Sequence, residues 1–350
     1  MDPKRILITR TDRLGDVVLS TPVIRFLRRQ YPDAYIALMV RPQMRDVVLH
    51  DPHLNEVIIY DKYGDQRSFL ATLKFAFILK EKKFDTAIAL HPTNRAHMLM
   101  FLAGIPRRIG YNRNMPFLLT EKITHNKQEG AKHEVDYNFD LLKEAGFDVG
   151  DIDRMPYMVT GEEEKKLVDS VIVDRNIGKN IIAIHPGASC PSKKWPPERF
   201  SETADVLAEK YGYDIALIGA EETSEIAERI ISQMKHKAID LTGLLLVGEL
   251  AEFLSRCKLL ISNDSGPVHV AVSVGTPVVA IFGRSDPGLS PKRWGPLGKD
   301  DIILHKDVGC DECLAHNCVK DFACLKAITA GEVIEAAGKA LKDMESVSNV

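Results

Sequence analysis

Leu259-Leu-Ile-Ser-Asn-Asp-Ser-Gly-Pro-Val-His269 is the stretch whose reading decides the fold of this chain. An apolar strand ends at Asn263-Asp-Ser-Gly, and Gly266-Pro267 opens a helical pattern, so a buried strand hands over directly to a helix N-terminus. Earlier in the same half, Ile181-Ile-Ala-Ile-His185 runs into Pro-Gly-Ala-Ser189 and on to Lys193-Lys-Trp-Pro196. The first half repeats the junction as Ile6-Leu-Ile-Thr-Arg-Thr-Asp-Arg-Leu-Gly15-Asp16. Such junctions lie at the carboxyl edge of a parallel sheet, where nucleotides bind. One such half-site in each half of the chain points to a transferase working between two substrates.

Outward from these junctions, short apolar strands alternate with helix-length amphipathic segments. The expected strands are 5–9, 35–40, 57–60 and 86–90 in the first half, and 181–185, 214–218, 238–241, 259–262 and 278–282 in the second. Helices are expected at 197–211, 221–234 and 330–343. This alternation implies βαβ units, an α/β class and mainly parallel sheets. Between the halves, Gly146 to Pro156 is rich in Gly and Asp and has no periodicity, so the boundary is placed near residue 155, giving domains 1–155 and 156–350.

A chain of 350 residues is long for a single core and predicts two domains at about 150 residues each. With 45% hydrophobic and 27% charged residues and a net charge of −3, it reads as an ordinary soluble protein, with no nucleic acid as partner. Neither a signal peptide nor a run of about 18 apolar residues is visible, so a cytoplasmic location is expected. The longest apolar patch, Met98 to Ile105, reads as a core helix.

Asp16 stands where its carboxylate can either accept helix N–H groups or act as a general base on a substrate hydroxyl, and Asp12 competes for the second role. In the second half, Gly187-Ala-Ser189 lets backbone approach a ligand, and Lys193, with Lys194 as rival, can neutralise a departing diphosphate. Asp264, Ser265 and Gly266 open a helix whose N–H groups face any bound phosphate, with His269 one turn on. Glu221 is placed to accept from ribose hydroxyls. Neither Gly-x-Gly-x-x-Gly nor a P-loop occurs, which weakens a nicotinamide enzyme or an NTPase. Asp151-x-Asp153 lies in the linker and is not taken as a metal site. Cys310, Cys313, Cys318 and Cys324 fit a zinc spacing only loosely and read as structural thiols, bridged or reduced, with a metal as the alternative.

Leu14 to Pro22, Gly187 to Pro196, Ile218 to Glu221 and Asn263 to His269, followed by Gly275-Thr-Pro-Val-Val-Ala-Ile-Phe-Gly283, together resemble the lipopolysaccharide heptosyltransferases of glycosyltransferase family nine. The cysteine-rich stretch before the last helix is similar to that of the heptosyltransferase II branch. The resemblance implies a GT-B architecture, two Rossmann-like domains facing a central cleft, with the acceptor on the first and ADP-heptose on the second. It also implies inverting transfer without a metal or other cofactor. Asp16 would then be the base and Lys193 the diphosphate lysine. Glu221 would lie near the ribose and Asp264 near the heptose, with Ser189, Ser265, Gly266 and His269 around the phosphates. His91, Asn94 and Arg95, with Arg107 and Arg108, are acceptor candidates for an anionic, lipid-linked oligosaccharide. That substrate leaves room for peripheral association with the inner membrane, and for a last helix that packs back on the first domain.

Two departures stand out. Thr11-Asp-Arg13 replaces small serines, and Leu244 to Val247 replaces polar residues after Thr242-Gly243. The competing functions are another nucleotide-sugar transferase or epimerase on this fold, and a nucleotide-sugar-binding protein without catalysis.

Overall fold

Ile6-Leu-Ile8, Ile36-Ala-Leu-Met-Val40, Ile182-Ala-Ile184 and Val279-Ala-Ile281 are continuous apolar runs without alternation, and they become sheet interiors shielded on both faces. The computed structural model describes residues 2–310, 312–313 and 315–348, with side chains of the last helix followed to Leu341. The chain forms two units, one of Met1–Lys127 with Glu134–Val159, the other of Gln128–His133 with Thr160–Val350. The crossing at Val159 lies just past residue 155, and the 128–133 excursion was not anticipated from the sequence.

In the first unit, β1 (Arg5–Thr9), β2 (Tyr35–Val40), β3 (Glu56–Ile59), β4 (Thr86–Ala89), β5 (Arg107–Tyr111) and β6 (Glu121–Ile123) pair in parallel in the order β3-β2-β1-β4-β5-β6. They are joined by α1 (Leu14–Val18), α2 (Thr21–Gln30), α3 (Phe69–Glu81) and α4 (Asn94–Leu102), and α5 (Glu134–Glu144) follows. On one face Leu7, Met39, Ala87 and Ala89 meet Phe75 and Leu79 of α3 and Leu99 and Met100 of α4. The chain moves from β1 out to β3, then returns to β4 on the other flank of β1. That reversal makes the gap beyond β1 and β4 a topological switch point, the place where this class of sheet binds ligands.

The second unit repeats the plan. Its strands β7 (Ile181–His185), β8 (Asp214–Leu217), β9 (Ala238–Asp240), β10 (Leu259–Asn263), β11 (Val278–Phe282) and β12 (Ile302–His305) order as β12-β11-β10-β7-β8-β9, all parallel. Here the switch point lies beyond β7 and β10. Its helices are α6 (Glu162–Asp174), α7 (Pro197–Tyr211), α8 (Ser224–Gln233), α9 (Val247–Arg256), α10 (Gly266–Ser273), α11 (Pro291–Trp294), α12 (Ala323–Lys326) and α13 (Ala330–Ser348). Ile182, Ile184, Leu217, Ile261 and Ile281 pack against Phe200 and Leu207 of α7 and Val333 and Ala337 of α13. The last helix thus covers the sheet of its own unit, resting on α7, β10 and β11.

Strands β5, β6 and β12 were not expected. Strand β5 opens with two arginines and β6 is Glu-Lys-Ile, so neither carries the apolar run that marks the others, whereas β12, Ile302-Ile-Leu-His305, carries such a run and was passed over. The expected helix at 221–234 begins instead as a 3-10 turn over Glu221–Thr223 before α8. Met98 to Ile105 divides between the end of α4 and the turn after it, with Leu99, Met100 and Ile105 buried as a core reading requires. In the linker, Asp153 pairs with Arg25 at 2.8 Å, and Arg25 also donates to the Met155 carbonyl.

Candidate active site

At the first switch point the residue after β1 is Arg10, a guanidinium only 1% exposed. It donates to the Leu90 carbonyl at 3.1 Å, just past β4, and to Asp16 Oδ1 at 2.6 Å and Glu134 Oε1 at 3.1 Å. Asp12 Oδ1 lies 3.0 Å from Arg10 Nε, an ion pair too bent for a hydrogen bond. Lys127 Nζ reaches Glu134 Oε1 at 2.7 Å and Asn138 Oδ1 at 3.1 Å, and Arg10 also contacts Asn138 Oδ1 at 3.3 Å. Three carboxylates thus surround two cations. Burial opposes the charge on Arg10, and Asp12, Asp16 and Glu134 outweigh that effect, so its pKa is raised.

Asp12 has the opposite balance. Burial pushes its carboxyl up to about 7, with Asp16 and Glu134 adding to the rise and Arg10 and Lys127 opposing it. The two acids therefore differ in partner quality. Asp16 has a short, aligned bond to Arg10, whereas both oxygens of Asp12 are buried without a hydrogen bond among the described residues. The N-cap of α1 is Arg13, so Asp16 does not cap the helix from that position, and its carboxylate turns to Arg10.

His91, expected at an acceptor site, places Nδ1 3.2 Å from Asp12 Oδ2. Its charged form is disfavoured by burial first and by Arg10 and Lys127 second, so the ring is neutral at pH 7. Asn94 is exposed at the start of α4, whose N-cap is Thr93. Arg95 is engaged elsewhere, donating to the carbonyls of Lys62 at 2.8 Å and Arg67 at 2.8 Å, and it braces the loop before α3. Arg107 and Arg108 open β5 and so lie at the opposite edge of the sheet. Arg107 is paired with Glu121, and Arg108 holds the carbonyls of Leu118 and Ile105.

At the second switch point the loops after β7 and β10 meet. Lys193 Nζ stands 2.7 Å from Asp264 Oδ2, again close but bent, while Lys194 is exposed. That settles which lysine faces the sheet edge. Burial raises the Asp264 carboxyl, against the pull of Lys193 and Arg284. Asn263 ties the two loops together, accepting from the Trp195 backbone N–H at 3.1 Å and donating to the Pro186 carbonyl at 2.7 Å. Trp195 is fully buried, stacks edge-on against Phe200 and donates from its indole to Ile328. Lys193 is therefore presented by a loop with a rigid foot.

Ser265 is the N-cap of α10, with Gly266 and Pro267 opening the helix. Its hydroxyl lies 3.0 Å from His185 Nδ1, and burial lowers that histidine to about 4, leaving it neutral. His269 is buried in the same helix. Ser189 is exposed on the loop after β7, and Glu221 is exposed after β8. Glycines make these approaches feasible. A Cβ on Gly187 would come within 2.8 Å of Thr223 Oγ1, and Gly219 adopts a φ of +151° with Thr223 2.7 Å from its would-be Cβ. Leu244 and Leu246 are exposed on the loop after β9, an apolar surface at the same edge as Glu221.

The sequence reading named Asp16, Lys193, Glu221 and Asp264 and did not name Arg10, Lys127, Glu134 and Asn138, which share the first switch point with Asp16. A lone arginine ending a buried apolar strand was the available signal. Arg284, which directly follows Gly283 after β11 and contacts Asp286 at 3.0 Å, was also missed. Cys190 and Cys257 are buried and separate, and the other four cysteines carry free thiols that line one small pocket with Ser192 and Phe322. Among the described residues no three His, Cys, Asp or Glu side chains are grouped closely enough to hold a metal ion.

Comparison with known proteins places this geometry. The family model described as "Glycosyltransferase family 9 (heptosyltransferase)" matches residues 72–323. Lipopolysaccharide heptosyltransferase 2 of Escherichia coli K12 is 26% identical over 297 residues, covering 82% of this chain and 85% of that protein. Among solved structures, a family 9 glycosyl transferase from Veillonella parvula superposes with a TM-score of 0.86 at 28% identity, covering 97% of this chain and 98% of the other. The E. coli ADP-heptose LPS heptosyltransferase II superposes at 0.82 with 24% identity, covering 97% and 99%, and supports the fold, which is GT-B.

Proposed function

We propose, from the premise that this chain belongs to glycosyltransferase family 9, the heptosyltransferases, that it catalyses inverting, metal-independent transfer of heptose from ADP-heptose to a hydroxyl of a lipopolysaccharide inner-core acceptor. The observation that carries the reading is the pair of switch points, one holding an acid on a buried arginine and the other a lysine on a helix-entry aspartate.

On this reading Asp16 accepts the proton of the acceptor hydroxyl as its oxygen attacks the anomeric carbon. The bond from that carbon to the diphosphate breaks, and ADP leaves with the electron pair. Arg10 holds Asp16 in place through the short bond between them. Lys193 balances the charge growing on the leaving diphosphate, and the N–H groups at the start of α10 face the same phosphates. Asp264 orients Lys193 and reaches the heptose, Glu221 accepts from the ribose, and exposed Leu244 and Leu246 offer the adenine an apolar contact. His91 and Asn94 remain as acceptor contacts; Arg95, tied to backbone carbonyls, is withdrawn from that role. The reaction would take place at the cytoplasmic face of the membrane that carries the acceptor. No helix among the described residues is long and apolar enough to cross a membrane.

The test is ADP release from ADP-heptose and a truncated core acceptor with a chelator present, with the anomeric configuration of the product read by NMR. Acceptor-dependent release with inversion supports the proposal. Retention, a metal requirement, or activity only with uridine or guanosine donors would overturn the corresponding part of it.

A further inference from the structure

Helix α3 is apolar on the wrong side as well as the right one. Its inward face, Thr72, Phe75, Ala76 and Leu79, is buried in the core of the first unit. Its outward face carries Phe69 at 64% exposure, Leu70 at 70%, Phe77 at 64% and Ile78 at 51%. At 100° per residue these four and half-buried Leu73 fan out over about 180° of the side turned away from the core, with exposed Lys74 and Glu81 among them. An ordinary surface helix shows polar residues there, and a contiguous exposed apolar patch of this kind marks an interaction surface.

The charge on and around this face is mainly basic. Lys74 and Lys80 project from the helix itself, Arg67 precedes it and Lys83 follows it, all exposed, with Asp65 and Glu81 as the acidic residues alongside. Helix α4, which packs on α3, adds half-exposed Phe101 with the Arg108 guanidinium 5.5 Å from its ring centroid. Aromatic and leucine side chains bordered by lysines match an anionic bilayer surface, where the apolar groups enter the acyl boundary and the ammonium groups meet lipid phosphates. A second copy would bring this net positive face, with Lys74, Lys80 and Lys83 against one acid, Glu81, up against itself, so charge complementarity favours lipid.

We propose that the outward face of α3 docks this protein on an anionic membrane surface, lying in its plane. The surface is independent of the reaction assigned above and is tested without donor or acceptor. Full-length protein is mixed with vesicles of phosphatidylcholine alone or with phosphatidylglycerol added, and the bound fraction is read by flotation. The proposal predicts binding to the anionic vesicles and little to the neutral ones. Leu70→Ser/Phe77→Ser and, separately, Lys74→Glu/Lys80→Glu should each weaken binding by at least about tenfold. Both alter exposed side chains, so circular dichroism and the unfolding midpoint should stay at the parent values. Three results would overturn the proposal: no vesicle binding by the parent, equal binding by folded variants, or a dimer that Leu70→Ser/Phe77→Ser dissolves in a protein that ignores vesicles.

Discussion

At the first switch point, between β1 and β4, Arg10 is enclosed by three carboxylates, whereas at the second, between β7 and β10, Lys193 faces one. Both sites arise from the same strand-order reversal and present their residues on the same kind of loop. They differ in burial and in the balance of charge, with three acids about two cations at the first and one acid to one lysine at the second. The first concentrates negative charge around a sealed cation, which suits holding and moving a proton. The second pairs a half-open cation with a helix entrance, which suits receiving a phosphate. On the proposed reading, one scaffold serves two chemistries by changing a few loop residues.

The largest effect expected from breaking this comparison is at Asp16. Asp16→Ala should lower kcat by about 10²–10⁴-fold. Undiminished turnover in a steady-state assay would remove Asp16 as the base and leave Asp12 as the candidate. Next comes Arg10→Met, which strands Asp12, Asp16 and Glu134 without their shared cation. Losing one member of a buried charge set costs about 3–5 kcal/mol. Urea unfolding should show a loss of that size which shrinks as the pH falls and the acids take up protons; a change below about 1 kcal/mol would mean the cluster is solvated after all.

At the second site, Lys193→Ala should reduce turnover by about a hundredfold, while Lys194→Ala leaves it near the parent value. Equal effects of the two would contradict the geometry that separates them. A finer contrast is in pH dependence. Asp12 has its folded pKa raised to about 7, mainly by burial, so the native state holds this proton more tightly than the unfolded chain does. Its contribution to stability is full below the ordinary Asp value and is lost as pH rises through about 7. Asp12→Asn should therefore gain stability relative to the parent as the pH rises from about 4 to about 7, and a gap that is constant with pH would show that Asp12 titrates normally. The smallest effect is at Arg95. Arg95→Ala should cost about 1–2 kcal/mol through the loop before α3 and leave the acceptor KM unchanged; a large rise in KM would restore it as an acceptor contact.

The sequence made the strand-to-helix junctions legible because each couples an uninterrupted apolar run to a turn of small or polar residues. Strands β1, β2, β7 and β11 and helix α7 fall where the pattern puts them. Strand β5 stayed hidden because its arginines reach carbonyls and a carboxylate at the sheet edge, which makes a buried element look polar. Asp16 and Asp264 could be placed at the sheet edge because their positions follow from local chain order alone. Arg10, by contrast, finds Glu134 and Asn138 across more than a hundred residues of chain, and no local pattern predicts that meeting. Arg95, in the first turn of α4, looks free in the sequence for a related reason, because the carbonyls that hold it lie about thirty residues away.

The central claim is that proton transfer belongs to the first switch point and nucleotide binding to the second. Calorimetric titration of ADP into folded Asp16→Ala protein tests it most directly. The account predicts that this variant, defective in turnover, binds ADP with the affinity of the parent. A loss of ADP affinity comparable to that of Lys193→Ala would contradict it, because Asp16 would then be part of the nucleotide site.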